Sequence, residues 1–491
     1  MSTENTSESS PRMRLLRNWI SLAGMVLAIA SLFSFLLLCV IDSMAHFSNP
    51  YVGILTYIVA PGFFIAGMVL TGLGMWFASR RLARTRALPA LRIDLSRARD
   101  RKILGFFILG SILFLLISAI GSYQTYHFTE SVQFCGEVCH TVMEPEMVTY
   151  QNGPHARVSC VECHIGPGAT WFVKSKLSGA YQVYATAVNK YPRPVPTPIK
   201  NLRPAQDTCE QCHWPQKFVG DKVKTYHYYL SDETNTHHAL KLVLKVGGAD
   251  PTRGPVGGIH WHMNVANKVE YIATDEARQI IPWVRMTDRQ GVVTEYRSPG
   301  FTNDISGYTI RTMDCMDCHN RPAHRYKTPN DAVSIAMQLG DIDPTLPWIK
   351  TNAVHALVQP YANRDEAMKA IATHLSAQYP NHPQLKKTIA AVQKIYNDNF
   401  FPEMKANWRA YPENIGHKDW PGCARCHDDE HTTADGSRRI VFSDCNTCHV
   451  VLAQGTGKLL DNISAEGHVF VHPADEIPEG FKCSDCHTGG P

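Results

Sequence analysis

Surplus charge is the first thing missing from this chain. Its 491 residues carry 48 Lys and Arg against 44 Asp and Glu, and residues 1 to 102 hold 12 of the basic but only 5 of the acidic side chains. The rest of the chain is left with 36 basic and 39 acidic residues, a balance that excludes the basic surface a nucleic-acid partner needs. A cleaved secretory signal is the weaker reading of the N-terminus. The first apolar run is long, lacks a clear small-residue cleavage site and is followed at once by a second run. Spare cysteine is the second absence: 14 of the 15 cysteines belong to one recurring unit, and the one left over, Cys39, lies in an apolar run as a small hydrophobe.

That unit is two cysteines followed immediately by a histidine. Its copies are Cys135-Gly-Glu-Val-Cys139-His140, Cys160-Val-Glu-Cys163-His164, Cys209-Glu-Gln-Cys212-His213, Cys315-Met-Asp-Cys318-His319, Cys423-Ala-Arg-Cys426-His427, Cys445-Asn-Thr-Cys448-His449 and Cys483-Ser-Asp-Cys486-His487. C-x-x-C-H is the attachment signature of c-type haem: both thiols bond the macrocycle and the imidazole becomes an axial iron ligand. Seven covalent haems are therefore expected. Zinc is the competing reading, but a zinc site draws four ligands from complementary pairs, whereas here the same three residues simply repeat. The first motif has one extra residue between its cysteines, so its loop must buckle to present both sulfurs.

Three apolar runs, 19–41, 51–78 and 103–121, are each long enough to cross a hydrocarbon core of about 30 Å as a helix. Between the second and third, Arg80, Arg81, Arg84, Arg86, Arg92, Arg97, Arg99, Arg101 and Lys102 face only Asp94 and Asp100. The positive-inside rule puts that loop in the cytoplasm. The third run then delivers residues 122–491 to the periplasm, where c-type haem is attached. The expected fold is an α-helical membrane anchor of three transmembrane helices plus a periplasmic multihaem cytochrome c with little regular structure, a small β-rich insert and a helical insert. The expected divisions are 1–121 for a polar tail (1–10) and anchor, 122–326 for a tetrahaem domain, 327–411 for the helical segment and 412–491 for a C-terminal trihaem domain.

The β-rich insert is read at 214–314, where Leu240, Leu242 and Leu244 alternate with Lys241, Val243 and Lys245 as in an antiparallel strand. In 327–411, Thr328-Pro329 is a cap with proline at the first helical position, Gly340 ends that helix, and Asn363 with Glu366 resembles a capping box.

An iron that only relays electrons gains from a second strong axial ligand. Sixteen histidines lie outside the motifs. His155, between the first two motifs, and His324, just after the fourth, are placed to serve. His260 and His262 fall on one face of an expected strand, where one ligand is a better reading than two. His417, His431, His468 and His472 surround the last three motifs and compete for three positions. Met143, close to the first motif, is the candidate weak ligand there, and a thioether raises the reduction potential.

The run from Phe134 through Met143-Glu-Pro145, then Pro154-His155-Ala-Arg-Val-Ser159-Cys160, then Lys174-Ser-Lys176-Leu-Ser-Gly179-Ala180-Tyr-Gln182, resembles the NapC/NirT family of quinol dehydrogenases, a likeness extending from about residue 103 to Asn320-Arg-Pro-Ala-His324. With three membrane helices and seven motifs, the whole chain is similar to the heptahaem inner-membrane cytochromes of metal-respiring bacteria. The resemblance implies oxidation of menaquinol at the periplasmic surface of the inner membrane and delivery of electrons to periplasmic c-type cytochromes, with menaquinol and membrane lipid as partners. Glu137, Glu144, Glu146 and His127 are then candidates to relay protons, and Lys174 or Lys176 to orient the quinol oxygen. Two departures stand out. The methionine comes three residues after the histidine where the family usually has two, and Gln182 stands where some members carry an aspartate; an amide cannot accept the quinol proton.

Two other functions compete. A terminal reductase for nitrite or hydroxylamine needs an open iron position, often marked by a motif ending in lysine, and all seven motifs here end in histidine. A passive relay docked on another quinol-oxidising protein would not be reduced by a menaquinol analogue on its own.

Overall fold

A computed structural model describes residues 15–490, except 17, 46–58, 86–94, 167–168, 200–201, 215–219, 248–256, 264–266, 302–303, 474–477 and 479. The polar tail, the start of the second apolar run, Arg86, Arg92 and Asp94 lie outside the described residues, as do the side chains of Cys39 and His140. The chain opens with helices α1 (Trp19–Ala45), α2 (Ala60–Thr85), α3 (Ala98–Thr129), α4 (His140–Gln151) and α5 (Ala169–Ala187).

One compact unit comprises Met1–Ser131 and His164–Tyr181. Within it α1 and α2 pack at backbone range because their facing positions are small: a Cβ on Gly67 would lie 2.6 Å from the Ala28 nitrogen, and one on Gly24 would collide with Thr71. The approach allows polar contacts across the pair, Asn18 Nδ2 donating to the Gly74 carbonyl and Ser21 Oγ to the Thr71 carbonyl, both at 3.2 Å. This is the packing expected where lipid provides no hydrophobic drive between helices. Windows of 18 residues in α1 and 25 in α2 are apolar enough to cross a membrane, and their outward faces present Ile29, Phe33, Ile65 and Val69. α3 runs for 32 residues and contacts α1 through Trp19 and Phe107.

The other unit comprises Val132–Cys163 and Gln182–Pro491. Its first turn, Phe134–Val138, is π-helical. A π-turn takes one more residue than an α-turn, so it absorbs the extra residue of the first motif. Two antiparallel sheets follow. Strands β1 (Lys222–Tyr229), β2 (His237–Leu244) and β7 (His449–Gly455) form the first in that order; β3 (Lys268–Ile272), β4 (Trp283–Thr287), β5 (Val293–Arg297) and β6 (Arg311–Thr312) form the second in the order β5-β4-β3-β6. The insert is thus two sheets rather than one, and β7 is lent to it from the sixth motif. On β2 the simple Leu240/Leu242/Leu244 alternation fails: Ala239 and Leu242 are the buried residues, because a register shift between Lys241 and Leu242 rotates the strand against β7.

The helical segment holds α6 (Pro329–Gln338), α7 (Ile349–Leu357), α8 (Arg364–Gln378) and α9 (Leu385–Asn399). Thr328 Oγ1 caps α6 by accepting from Asp331 N at 3.3 Å, and Gly340 terminates it at φ +75°. Asn363 Oδ1 accepts from Glu366 N at 2.9 Å, while the Glu366 carboxylate reaches Ala362 N at 2.8 Å, one residue before the expected partner. Val333, Ile349, Leu357, Ile371, Leu375 and Val392 are fully buried between these helices.

Candidate functional site

The haem motifs follow one another in space as they do in sequence. The Cys135 and Cys160 thiols hydrogen-bond each other, joining the first and second motifs. Cys163 is an electrostatic neighbour of Cys212, and Cys209 and Cys315 hydrogen-bond, carrying the succession to the third and fourth. Cys318 neighbours Cys423, Cys423 neighbours Cys448, and Cys445 neighbours Cys483, which completes it.

Five motif histidines each face a histidine from elsewhere in the chain. Ring centroids lie 6.1 Å apart for His213 and His155, 6.3 Å for His319 and His260, and 5.8 Å for His427 and His262. The separation is 6.2 Å for His449 and His417 and 5.9 Å for His487 and His472. An imidazole nitrogen ligates a transition metal at about 2 Å, so two rings across one ion have centroids about 6 Å apart. The residues therefore fit haem iron between them. Backbone carbonyls fix several of these rings: His155 Nδ1 donates to Pro322 at 2.9 Å, His262 Nδ1 to Ile259 at 2.9 Å and His427 Nδ1 to Val441 at 3.1 Å. Such a bond leaves the other nitrogen's lone pair for the metal. Burial pushes His260, His262, His319, His417, His449 and His487 down, favouring the neutral ring that ligation requires.

Among the described residues no three His, Cys, Asp or Glu side chains converge as a zinc cage.

His260 and His262 differ from the sequence expectation. They stand not on a strand but on a 3-10 turn, Ile259–Met263, where residues two apart point in different directions, and each faces a different motif. Around the last three motifs, His417 and His472 meet motif histidines, while His431 and His468 do not. The His431 ring is spent on structure, with Nδ1 2.9 Å from the Asp428 carboxylate and Nε2 2.7 Å from the Ile281 carbonyl; His468 turns Nε2 to the Asn462 carbonyl at 3.0 Å. His324 donates Nδ1–H to the Glu146 carbonyl at 2.9 Å, and burial pushes it down as well. Met143 is half-buried on α4; the sulfur nearest Gly136 of the first motif belongs to Met147, whose Sδ would lie 2.5 Å from a Cβ there.

Of the proton-relay candidates, Glu137 is exposed on the π-turn, Glu144 pairs with Arg364 at 2.7 Å and Glu146 accepts from the Tyr326 hydroxyl at 2.7 Å. His127 lies edge-on to Tyr123 with centroids 4.4 Å apart. Lys174 covers the Trp171 ring at 4.7 Å, Gln182 is exposed on α5, and Lys176 forms an ion pair with Glu130 and donates to Thr129 Oγ1 at 3.2 Å. Glu130 caps the C-terminus of α3; the sequence did not single it out, because its partner is distant in the chain and no spacing rule links them. A second unforeseen carboxylate is Asp317, inside the fourth motif. It is buried and accepts from Tyr271 at 2.6 Å, Arg311 at 3.0 Å and Arg278 at 3.1 Å, which pins that motif to the second sheet.

The profile of the NapC/NirT cytochrome c family, N-terminal region, matches residues 97–195. The cytochrome c-type protein ImcH of Geobacter sulfurreducens is 42% identical over 490 residues, covering 96% of this chain and 95% of that one. The chain belongs to the NapC/NirT cytochrome c family. It is a membrane-anchored c-type cytochrome of electron transfer, carrying covalent haem. No solved structure matches it.

Proposed function

We propose that this NapC/NirT cytochrome is a quinol dehydrogenase with three membrane spans and seven haems, which oxidises menaquinol at the periplasmic face of the inner membrane and reduces periplasmic c-type cytochromes. The observation that carries this reading is the unbroken succession of motifs from the first to the seventh, which begins next to the anchor in sequence and ends at the C-terminus. The haems, when bound, supply one-electron redox chemistry along that succession. The chain's own residues set its ligands: His155, His260, His262, His417 and His472 are the distal ligands of the third to seventh motifs, His324 serves one of the first two, and Met143 is the weak ligand of the first.

A quinol also releases protons, so the site needs groups to hold its oxygen and accept them. Glu144 and Glu146 are committed to Arg364 and Tyr326. Glu137 and the Glu130–Lys176 pair are the stronger candidates, with Lys174 and His127 as further donors near the quinol. Purified full-length protein mixed with a menaquinol analogue should develop the absorption bands of ferrous haem without any partner, and Glu130→Gln and Glu137→Gln should slow the reduction at least tenfold. Protein that stays oxidised would make it a passive relay, and a pyridine haemochrome count other than seven per chain would refute the full complement.

A further inference from the structure

Arg321 stands in the stretch just after the fourth motif, and both of its chain neighbours are fixed. Asn320 Nδ2 donates to the Pro412 carbonyl at 2.8 Å while its Oδ1 accepts from Asn414 N at 3.0 Å, and the Pro322 carbonyl accepts from His155. The guanidinium lies over the Tyr411 ring at 3.8 Å and stands 5.8 Å from that of Tyr326. Both hydroxyl protons are committed elsewhere, Tyr411 donating to the Val195 carbonyl at 2.9 Å and Tyr326 to the Glu146 carboxylate at 2.7 Å. Tyr411 also takes a hydrogen bond from the guanidinium. Nε and Nη2 are nonetheless closed off from solvent with no hydrogen-bond partner.

A guanidinium keeps its charge at any pH the protein meets, and a buried donor without an acceptor is costlier on a charged group than on a neutral one. Glu146 supplies negative charge nearby but bonds neither nitrogen. The Nε–Nη2 edge is the side of the arginine fork that grips a carboxylate with two parallel bonds. We infer that this edge holds a haem propionate where α4 meets the stretch after the fourth motif. Covalent attachment carries carboxylates into the interior with the macrocycle, whereas a free anion would have to enter an enclosed site. His324, one of the candidate axial ligands, shares the neighbourhood: its charge and that of Arg321 oppose each other, and its Nδ1 is held by the Glu146 carbonyl. The placement needs covalent haem only and holds whether or not quinol is the electron donor. A fixed positive charge beside the macrocycle favours the reduced iron, so Arg321 raises the potential of one centre.

Spectroelectrochemical titration of the full-length holoprotein tests this through Arg321→Gln. One one-electron component is expected to fall by about 59 mV, a tenfold change in its oxidised-to-reduced ratio, with haem content unchanged. Arg321→Lys keeps the charge but loses the fork, and should recover part of that shift. A titration curve unchanged in Arg321→Gln would overturn the inference and leave Arg321 a wedge between two tyrosines. An equal shift of every component would overturn it too. Cryo-electron microscopy of the wild-type holoprotein decides the contact without any variant: a propionate is expected within about 4 Å of Nε and Nη2, and a water, a free anion or a protein carboxylate in its place would refute the assignment.

Discussion

The helical segment 327–411 and the tail that follows it are held together by opposite means. Between α6 and α9 the chain builds its own interior from Val333, Ile371, Leu375, Val392 and the aromatic wall of Tyr396, Phe400 and Trp408. From 412 onward the buried apolar side chains among the described residues are Ala424, Val450, Val451 and Ala453, too small a set for a core of its own. There three motifs crowd together, and under the proposed function covalent macrocycles would supply the missing apolar bulk. A region with few motifs must fold by packing; a region dense in them can fold around its cofactors.

The largest expected break in this contrast comes from removing one attachment. Cys445→Ala with Cys448→Ala should give one haem fewer per chain by pyridine haemochrome, and limited proteolysis should then cut within 412–491 while 327–411 stays resistant. Equal resistance in both regions would mean that the tail is self-supporting. Leu375→Ala acts in the other direction. A fully buried leucine cut to alanine costs about 2–5 kcal/mol, so the urea midpoint of the helical circular-dichroism signal should fall with no change in haem content.

The smallest effect sharpens the comparison through pH. Lys350 is buried in the helical segment, donating to the Asn330 carbonyl and, at 2.8 Å, to Ser334 Oγ, and burial pushes its ammonium down to about 7. An unfolded lysine titrates near 10.4, so between about pH 7 and 10 the unfolded chain binds a proton that the folded one lacks. Stability of the segment should rise with pH across that window, and the penalty is complete below it. Lys350→Met should flatten the dependence of the urea midpoint between pH 7 and 9.5 by up to a few kcal/mol.

Local patterns in the sequence were enough to mark the caps at Thr328 and Asn363, the stop at Gly340, two of the three expected apolar spans and every motif cysteine, because each rests on neighbours a few residues apart. The candidate axial histidines were harder. His155, His417 and His472 could be named from proximity to motifs, but which motif histidine each one faces depends on how distant segments meet, and nothing local distinguishes His417 from His431. The strand read through His260 and His262 fails for a related reason: the turn is set by backbone bonds from Ile259 and His260 to Lys245 and Val246, which pattern alone does not reveal. Glu130, Asp317 and the lending of β7 to the first sheet are long-range facts of the same kind.

The turn Ile259–Met263 carries a constraint of its own. His260 and His262 face the histidines of the fourth and fifth motifs, with Trp261 between them as the spacer. A substitution at either histidine disturbs one centre, but an insertion or deletion at the spacer re-aims two neighbouring centres together. Point changes there are local faults; a change in length would move both histidines off the motif histidines they face.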